Sequence, residues 1–272
     1  MIKYNLSGLN LDNPKIDYTK QKAEYYLTLS VILEEQIANN CMKRVISRQE
    51  ELLKIINSNL QINNKENKNN MFHIYKENEL HFSLINFYTF SYDHNETSTS
   101  AFQKFEEIIK NSELVEELKN KIENTFHLYK IRQDFYNATM GIIHAGDGSI
   151  ATQVFIGESL INFCNYIVRT GEKLGFPDVE AKIYPKDSTE KCRCALNFLK
   201  IFKKGFFLIN KEKNKEEDIK KKIIEWNKKD CEGLPKNLLL LKFKKLTLNI
   251  SDPYLSREQN KYYRISEFKF NN

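Results

Sequence analysis

Leu80-His81-Phe82-Ser83-Leu84 is the stretch on which the reading of this chain turns. Side chains alternate along an extended strand, so His81 and Ser83 project to one face while Phe82 and Leu84 project to the other. The apolar pair suits a core. The imidazole and the hydroxyl then stand two residues apart on the opposite face, a spacing that suits a single phosphate group. The imidazole can take or give a proton, and the hydroxyl can donate a hydrogen bond to a non-bridging oxygen. A core histidine beside a serine has the same local pattern, so the pair gains its weight from its surroundings.

Working outward, Tyr25 to Leu33 (YYLTLSVIL) is aromatic and β-branched and reads as a strand. Glu34 to Leu60 follows with apolar residues near helical spacing, and Asn57 to Asn70 is an Asn/Lys-rich loop. Phe72–Tyr75 and Leu80–Phe90 read as two strands around the turn Lys76–Asn78. After polar Asp93–Ser100, a helix is expected over Ala101–Asn124 with Ser100 as its cap. Strands are expected at Phe126–Gln133 and Phe135–Ala145, ahead of the turn Gly146-Asp147-Gly148. The second half predicts a helix over Ile150–Leu174, ending near Gly175 and Pro177, then strands at Glu180–Tyr184 and Cys192–Phe202. A charged helix over Asn214–Lys229 and strands at Asn237–Ile250 and Tyr262–Phe270 complete the chain.

Each half thus reads as helix, two strands, helix, two strands, which predicts an α+β fold built by duplication: two sheet-and-helix lobes around a central cleft. Residues 1–22 read as an irregular lead-in, and 23–272 as one bilobal domain whose lobes interleave in sequence. Laying His81-Phe82-Ser83-Leu84 on Ala195-Leu196-Asn197-Phe198 gives an offset of 195 − 81 = 114, matching the spacing of the helices and strand pairs.

This order of elements, together with His81-x-Ser83, resembles the two-histidine (2H) phosphoesterases, whose members include cyclic phosphodiesterases and 2′-5′-phosphodiesterases. The closing segments Leu246–Ser251 and Tyr262–Ile265 resemble that family's last strand pair. The resemblance implies two lobes that each offer a His-x-Ser/Thr motif to the cleft, and a metal-independent reaction in which one imidazole acts as base and the other as acid. It implies no cofactor. His81 and Ser83 take the places of the first motif. Ala195 stands where the second His belongs and Asn197 where the second hydroxyl belongs. An Asn amide still donates to a phosphate oxygen, whereas Ala transfers no proton.

Three readings follow: a weak phosphodiesterase working through His81, a protein that binds an RNA-type phosphate ester without turning it over, or an enzyme in which another His, with His144 the candidate, fills the gap. The ligand expected is a 2′,3′-cyclic phosphate, a 2′-5′ linkage or a cyclic nucleotide. The alternative from another class is a catalytically silent protein that keeps the fold and binds a protein partner. His73, His94 and His127 read as structural or exposed. Gly141 to Gly148 lacks the Lys-Ser/Thr of a phosphate-cradling P-loop and reads as a tight turn.

Composition agrees with an ordinary globular chain. Of 272 residues, 41% are hydrophobic, while Gly (9) and Pro (5) are scarce, which excludes collagen-like and linker-rich classes. The net charge of +6 is mild and reads first as a solvated surface with a slight excess of Lys; as a partner signal it favours anionic ligands such as phosphate esters or RNA, and no DNA is expected. Five cysteines without zinc-ligand spacing read as reduced thiols. Met1 to Pro14 has no apolar h-region, and no window approaches 18 uninterrupted apolar residues, so an intracellular, soluble protein without membrane partners is expected.

Overall fold

The computed structural model describes residues 23–32, 50, 51, 54, 72–75, 79, 81–92, 98–129, 135–139, 149–183, 193–201, 239–242, 245–252 and 261–269. The expected helix over 34–60 lies almost wholly outside them. The helix over 214–229, the turn at 146–148 and the segment 141–148 lie outside them as well.

Among the described residues, ten strands form two antiparallel sheets. They are β1 (Ala23–Ile32), β2 (Phe72–Ile74), β3 (His81–Tyr92), β4 (Phe135–Thr139), β5 (Ser149–Phe155), β6 (Glu180–Ala181), β7 (Arg193–Ile201), β8 (Leu239–Lys242), β9 (Lys245–Ser251) and β10 (Tyr262–Lys269). The first sheet runs β10-β9-β1-β3-β6 and the second β2-β7-β5-β4-β8. Strands of both sheets therefore alternate along the chain. Three helices are described: α1 (Ser98–Lys110), α2 (Glu113–Leu128) and α3 (Glu158–Leu174). The α+β mixture is as expected from the sequence. Among the described residues, no helix is long and apolar enough to cross a membrane.

The helices cover one face of the first sheet. Leu27, Leu29 and Val31 of β1, Phe82, Leu84 and Phe87 of β3, and Leu246, Leu248 and Ile250 of β9 are buried there with Phe105, Leu118, Ile122, Phe163 and Ile167 of the helices. Each such side chain contributes about 1.5–3 kcal/mol when removed from water. The ring of Phe90 stacks on Phe105, with centroids 5.0 Å apart. The Tyr25 ring meets Phe102 edge-on at 5.1 Å. Cys164 is buried in the same core. Gly171 lets α3 sit close to β3: a Cβ there would lie 3.1 Å from the Phe87 ring and 3.2 Å from Val179. The helix ends on Gly175 in the left-handed region at φ 91°, where the missing Cβ removes the steric cost.

Several expectations need correction. The helix expected over 101–124 is two helices. It starts earlier than Ser100, at Ser98, and breaks at Asn111-Ser112, where the Ser112 side chain accepts from the Val115 N–H at 3.3 Å and caps α2. Phe126, His127 and Leu128 are helical rather than extended, because Ile122, Thr125 and Phe126 share the buried stripe of α2. The helix expected from Ile150 begins only at Glu158. Ser149–Phe155, with branched residues at 150, 152 and 154, is a strand paired with β7.

β2 and β3 do not form a hairpin around residues 76–78, since β2 pairs with β7 and β3 with β1. The segment 237–250 likewise supplies two strands, β8 and β9, to different sheets. In linear order two strands, β4 and β5, follow α2, and two more, β6 and β7, follow α3; what differs from expectation is the partnering of β2 and β3 and the division of 237–250. The antiparallel pairing of β9 with β10 agrees with the expected closing pair.

Candidate functional site

β3 and β7 belong to different sheets yet run alongside each other, with Cα traces approaching within 8 Å. These two strands carry the positions singled out from sequence. His81 opens β3 and Ser83 follows two residues on, while Ala195 and Asn197 lie in β7. In the second sheet Ala195 is paired with Gln153, and Asn197 with Ala151. His144 lies outside the described residues.

His81 is only 6% exposed. Its Nδ1 lies 2.6 Å from the main-chain carbonyl oxygen of Glu79. A carbonyl only accepts, so Nδ1 carries the proton and donates; the neutral ring then holds its lone pair on Nε2. This arrangement fixes both the tautomer and the rotation of the ring, as a second partner does for catalytic and metal-bound imidazoles. The buried ring of Tyr75 packs against His81, with centroids 6.1 Å apart and planes inclined by 56°. Ser83 is half-buried and pairs with Ser30 of β1.

The face of the first sheet that carries His81 and Ser83 is polar. The alternation that sends Leu27, Leu29 and Val31 to the helices leaves Tyr26, Thr28 and Ser30 on the other side of β1. Likewise Leu246, Leu248 and Ile250 leave Thr247, Asn249 and Ser251 on the other side of β9. The pairing aligns these residues in rows across the sheet: Ser83–Ser30–Thr247, then Asn86–Thr28–Asn249, then Thr89–Tyr26–Ser251.

Most of these groups are buried, and they bond to one another. Asn249 Nδ2 donates to Thr28 Oγ1 at 3.1 Å, Thr247 Oγ1 donates to Asn249 Oδ1 at 3.0 Å, and Ser30 Oγ lies 3.4 Å from Thr28 Oγ1. Buried side chains on a sheet face are ordinarily apolar, so a buried polar face asks for a reason. Sequence reading passed over these residues. Their signal was present in Tyr25–Leu33 and Leu246–Ser251, where a hydroxyl or amide recurs at every second position of an otherwise apolar strand.

No family model matches this chain, and no curated protein sequence matches it.

Proposed function

We propose that this chain is a two-lobed protein of 2H-like architecture that holds an RNA-type phosphate ester between β3 and β7, with His81 as a proton-transfer group. The observation that carries the reading is a matched irregularity in the two strands. In the first sheet Ser83 pairs with Ser30, Leu84 is passed over, and Ile85 pairs with Leu29. In the second sheet Asn197 pairs with Ala151, Phe198 is passed over, and Leu199 pairs with Ile150. The extra residue falls one step beyond Ser83 in one strand and one step beyond Asn197 in the other (198 − 84 = 114). Bulges of this kind re-aim the side chains beside them and are frequent next to active sites.

Strand order gives independent support. Read as β10-β9-β1-β3-β6 and β8-β4-β5-β7-β2, both sheets have the motif strand fourth. In each, the strand that opens one half of the chain lies on its inner side. A short edge strand borrowed from the other half lies on its outer side. This correspondence between the two sheets is what a duplicated lobe would produce.

Chemically, His81 Nε2 acts as base towards water or a ribose hydroxyl, or as acid towards the leaving oxygen. Ser83 donates to a non-bridging oxygen, and Asn197 supplies an amide donor from the facing strand. Ala195 supplies no second proton transfer, a loss of about 10²–10⁴ in rate relative to a two-histidine site. Binding with slow turnover is the activity this set of residues fits. The surplus of basic residues, net +6, favours an anionic ligand.

The test is hydrolysis of 2′,3′-cyclic nucleotides and 2′-5′ dinucleotides by the unaltered protein, His81→Ala, Ala195→His and the double variant. The expected result is a rise of about 10²-fold or more in Ala195→His that vanishes when His81 is also removed. If no variant hydrolyses or binds any of these ligands, the phosphoesterase reading is wrong, and a silent scaffold that engages a protein partner takes its place.

A further inference from the structure

We infer that Asn86 is a specificity residue: its Oδ1 accepts a hydrogen bond from the exocyclic amino group of the base next to the phosphate ester held at His81. The inference rests on the proposed ligand class and extends it from a mononucleotide to an oligonucleotide end.

Asn86 is only 6% exposed, and its Oδ1 is a buried acceptor without a hydrogen-bond partner. Native proteins satisfy almost all such atoms, so an orphan needs a physical explanation. The amide is held in place from its other side. Nδ2 donates to Thr89 Oγ1 at 3.2 Å and lies 3.5 Å from the carbonyl oxygen of Asp178. The Asp178 carbonyl only accepts, which assigns nitrogen to that side and leaves the buried oxygen as the unpaired atom. Asp178 is itself anchored, because its carboxylate accepts from the Thr89 N–H at 2.9 Å. A pinned amide with an unused acceptor selects for a donor.

Position defines which donor. Asn86 lies on the polar face of the first sheet, as His81 and Ser83 do, paired with Thr28 where His81 is paired with Ile32. Four residues along β1 correspond to roughly 13 Å at about 3.3 Å per residue. That span exceeds the reach of the base attached to the reacting ribose and suits the base of its neighbour. The track between them runs along β3. Ser83 and Thr89, which flank Asn86 on this face, are half-buried, while Ser30, Thr247 and Asn249 behind them are covered and bonded to each other. Adenine and cytosine present an exocyclic amine to such an acceptor; uracil presents a carbonyl oxygen, which repels it.

The experiment measures binding of dinucleotides ending in a 3′-phosphate, which are not turned over, by calorimetry. The 5′ base is adenine, cytosine, uracil or purine without its amine. The unaltered protein is expected to bind the adenine and cytosine ligands about tenfold more tightly than the uracil and purine ones. Asn86→Ala and Asn86→Ser are expected to erase that preference while keeping affinity for a nucleoside 3′-phosphate.

Equal binding of all four dinucleotides by the unaltered protein overturns the inference without using any variant. So does a preference that survives in a folded Asn86 variant. Loss of preference together with loss of nucleoside 3′-phosphate binding in both variants overturns it as well, since Asn86 then acts on the phosphate site. Failure of the unaltered protein to bind any nucleotide overturns the proposed function, and this inference with it.

Discussion

The imidazole of His81 is tied through Nδ1 to the carbonyl oxygen of Glu79, two residues earlier in the chain and 2.6 Å away. Because the acceptor is main chain, the tie survives any change of side chain at 79. The tautomer is therefore set by the path of the backbone into β3. Nitrogen-15 correlation spectra of the imidazole are expected to show a protonated Nδ1 and an unprotonated Nε2 when the ring is neutral. The opposite assignment would remove Nε2 from any role as a base.

Thr28 and Asn249 bond across the β1–β9 pair in a buried setting. Thr28→Val keeps the shape and removes the acceptor, leaving the Asn249 amide with a lost bond. A destabilisation of about 1–3 kcal/mol is expected in urea unfolding. Replacing both residues by apolar ones of similar shape, as in Thr28→Val with Asn249→Leu, is expected to recover part of that loss. A double variant as unstable as the sum of the two singles would argue against a coupled pair.

Gly171 and Gly175 are expected to respond differently to alanine. At Gly171 the added methyl meets the Phe87 ring and Val179, so overpacking of about 1–3 kcal/mol is expected. At Gly175 nothing lies within 4 Å, and the cost is the left-handed backbone alone, about 1 kcal/mol. Phe87→Leu should therefore relieve Gly171→Ala and leave Gly175→Ala unchanged. Melting temperatures of the three single and two double variants distinguish the two causes.

Ser112→Ala removes the side-chain acceptor at the start of α2 and is expected to cost about 1 kcal/mol. Ser112→Asp should retain the stability, since a carboxylate accepts the same bond and favours a helix N-terminus. A neutral result for alanine would mean that packing alone starts this helix.

How much of this could be read beforehand depended on range. Period-two alternation around His81 and Ser83 was sufficient to recognise β3, and Gly175 was sufficient to end α3. The mistakes at Phe126 and Ile150 have a common origin. Thr125-Phe126 looks β-forming but is buried in a helix stripe, and Ile150–Phe155 looks apolar enough for a helix but gains its partners from β7. Neither can be settled without knowing the neighbour. The same holds for the candidate site. His81 and Ser83 announce themselves by residue type, whereas Asn86 looks like any strand asparagine until its unused oxygen is seen in place. The polar rows of β1 and β9 needed only alternation to be noticed, but their shared face needed the register.

The alternation of strands between the two sheets has a consequence for how the protein is made. β1 sits between β3 and β9, and the Thr28–Asn249 contact joins residues 221 positions apart. The first sheet therefore stays open, with β1 showing an unpaired edge, until residues past 245 have left the ribosome. Closure over such a distance is intrinsically slow, and a nascent chain in that state is vulnerable to pairing with the wrong partner. Shortening the chain at either flank of the described strands would not yield a smaller folded piece but a sheet missing its middle or its side.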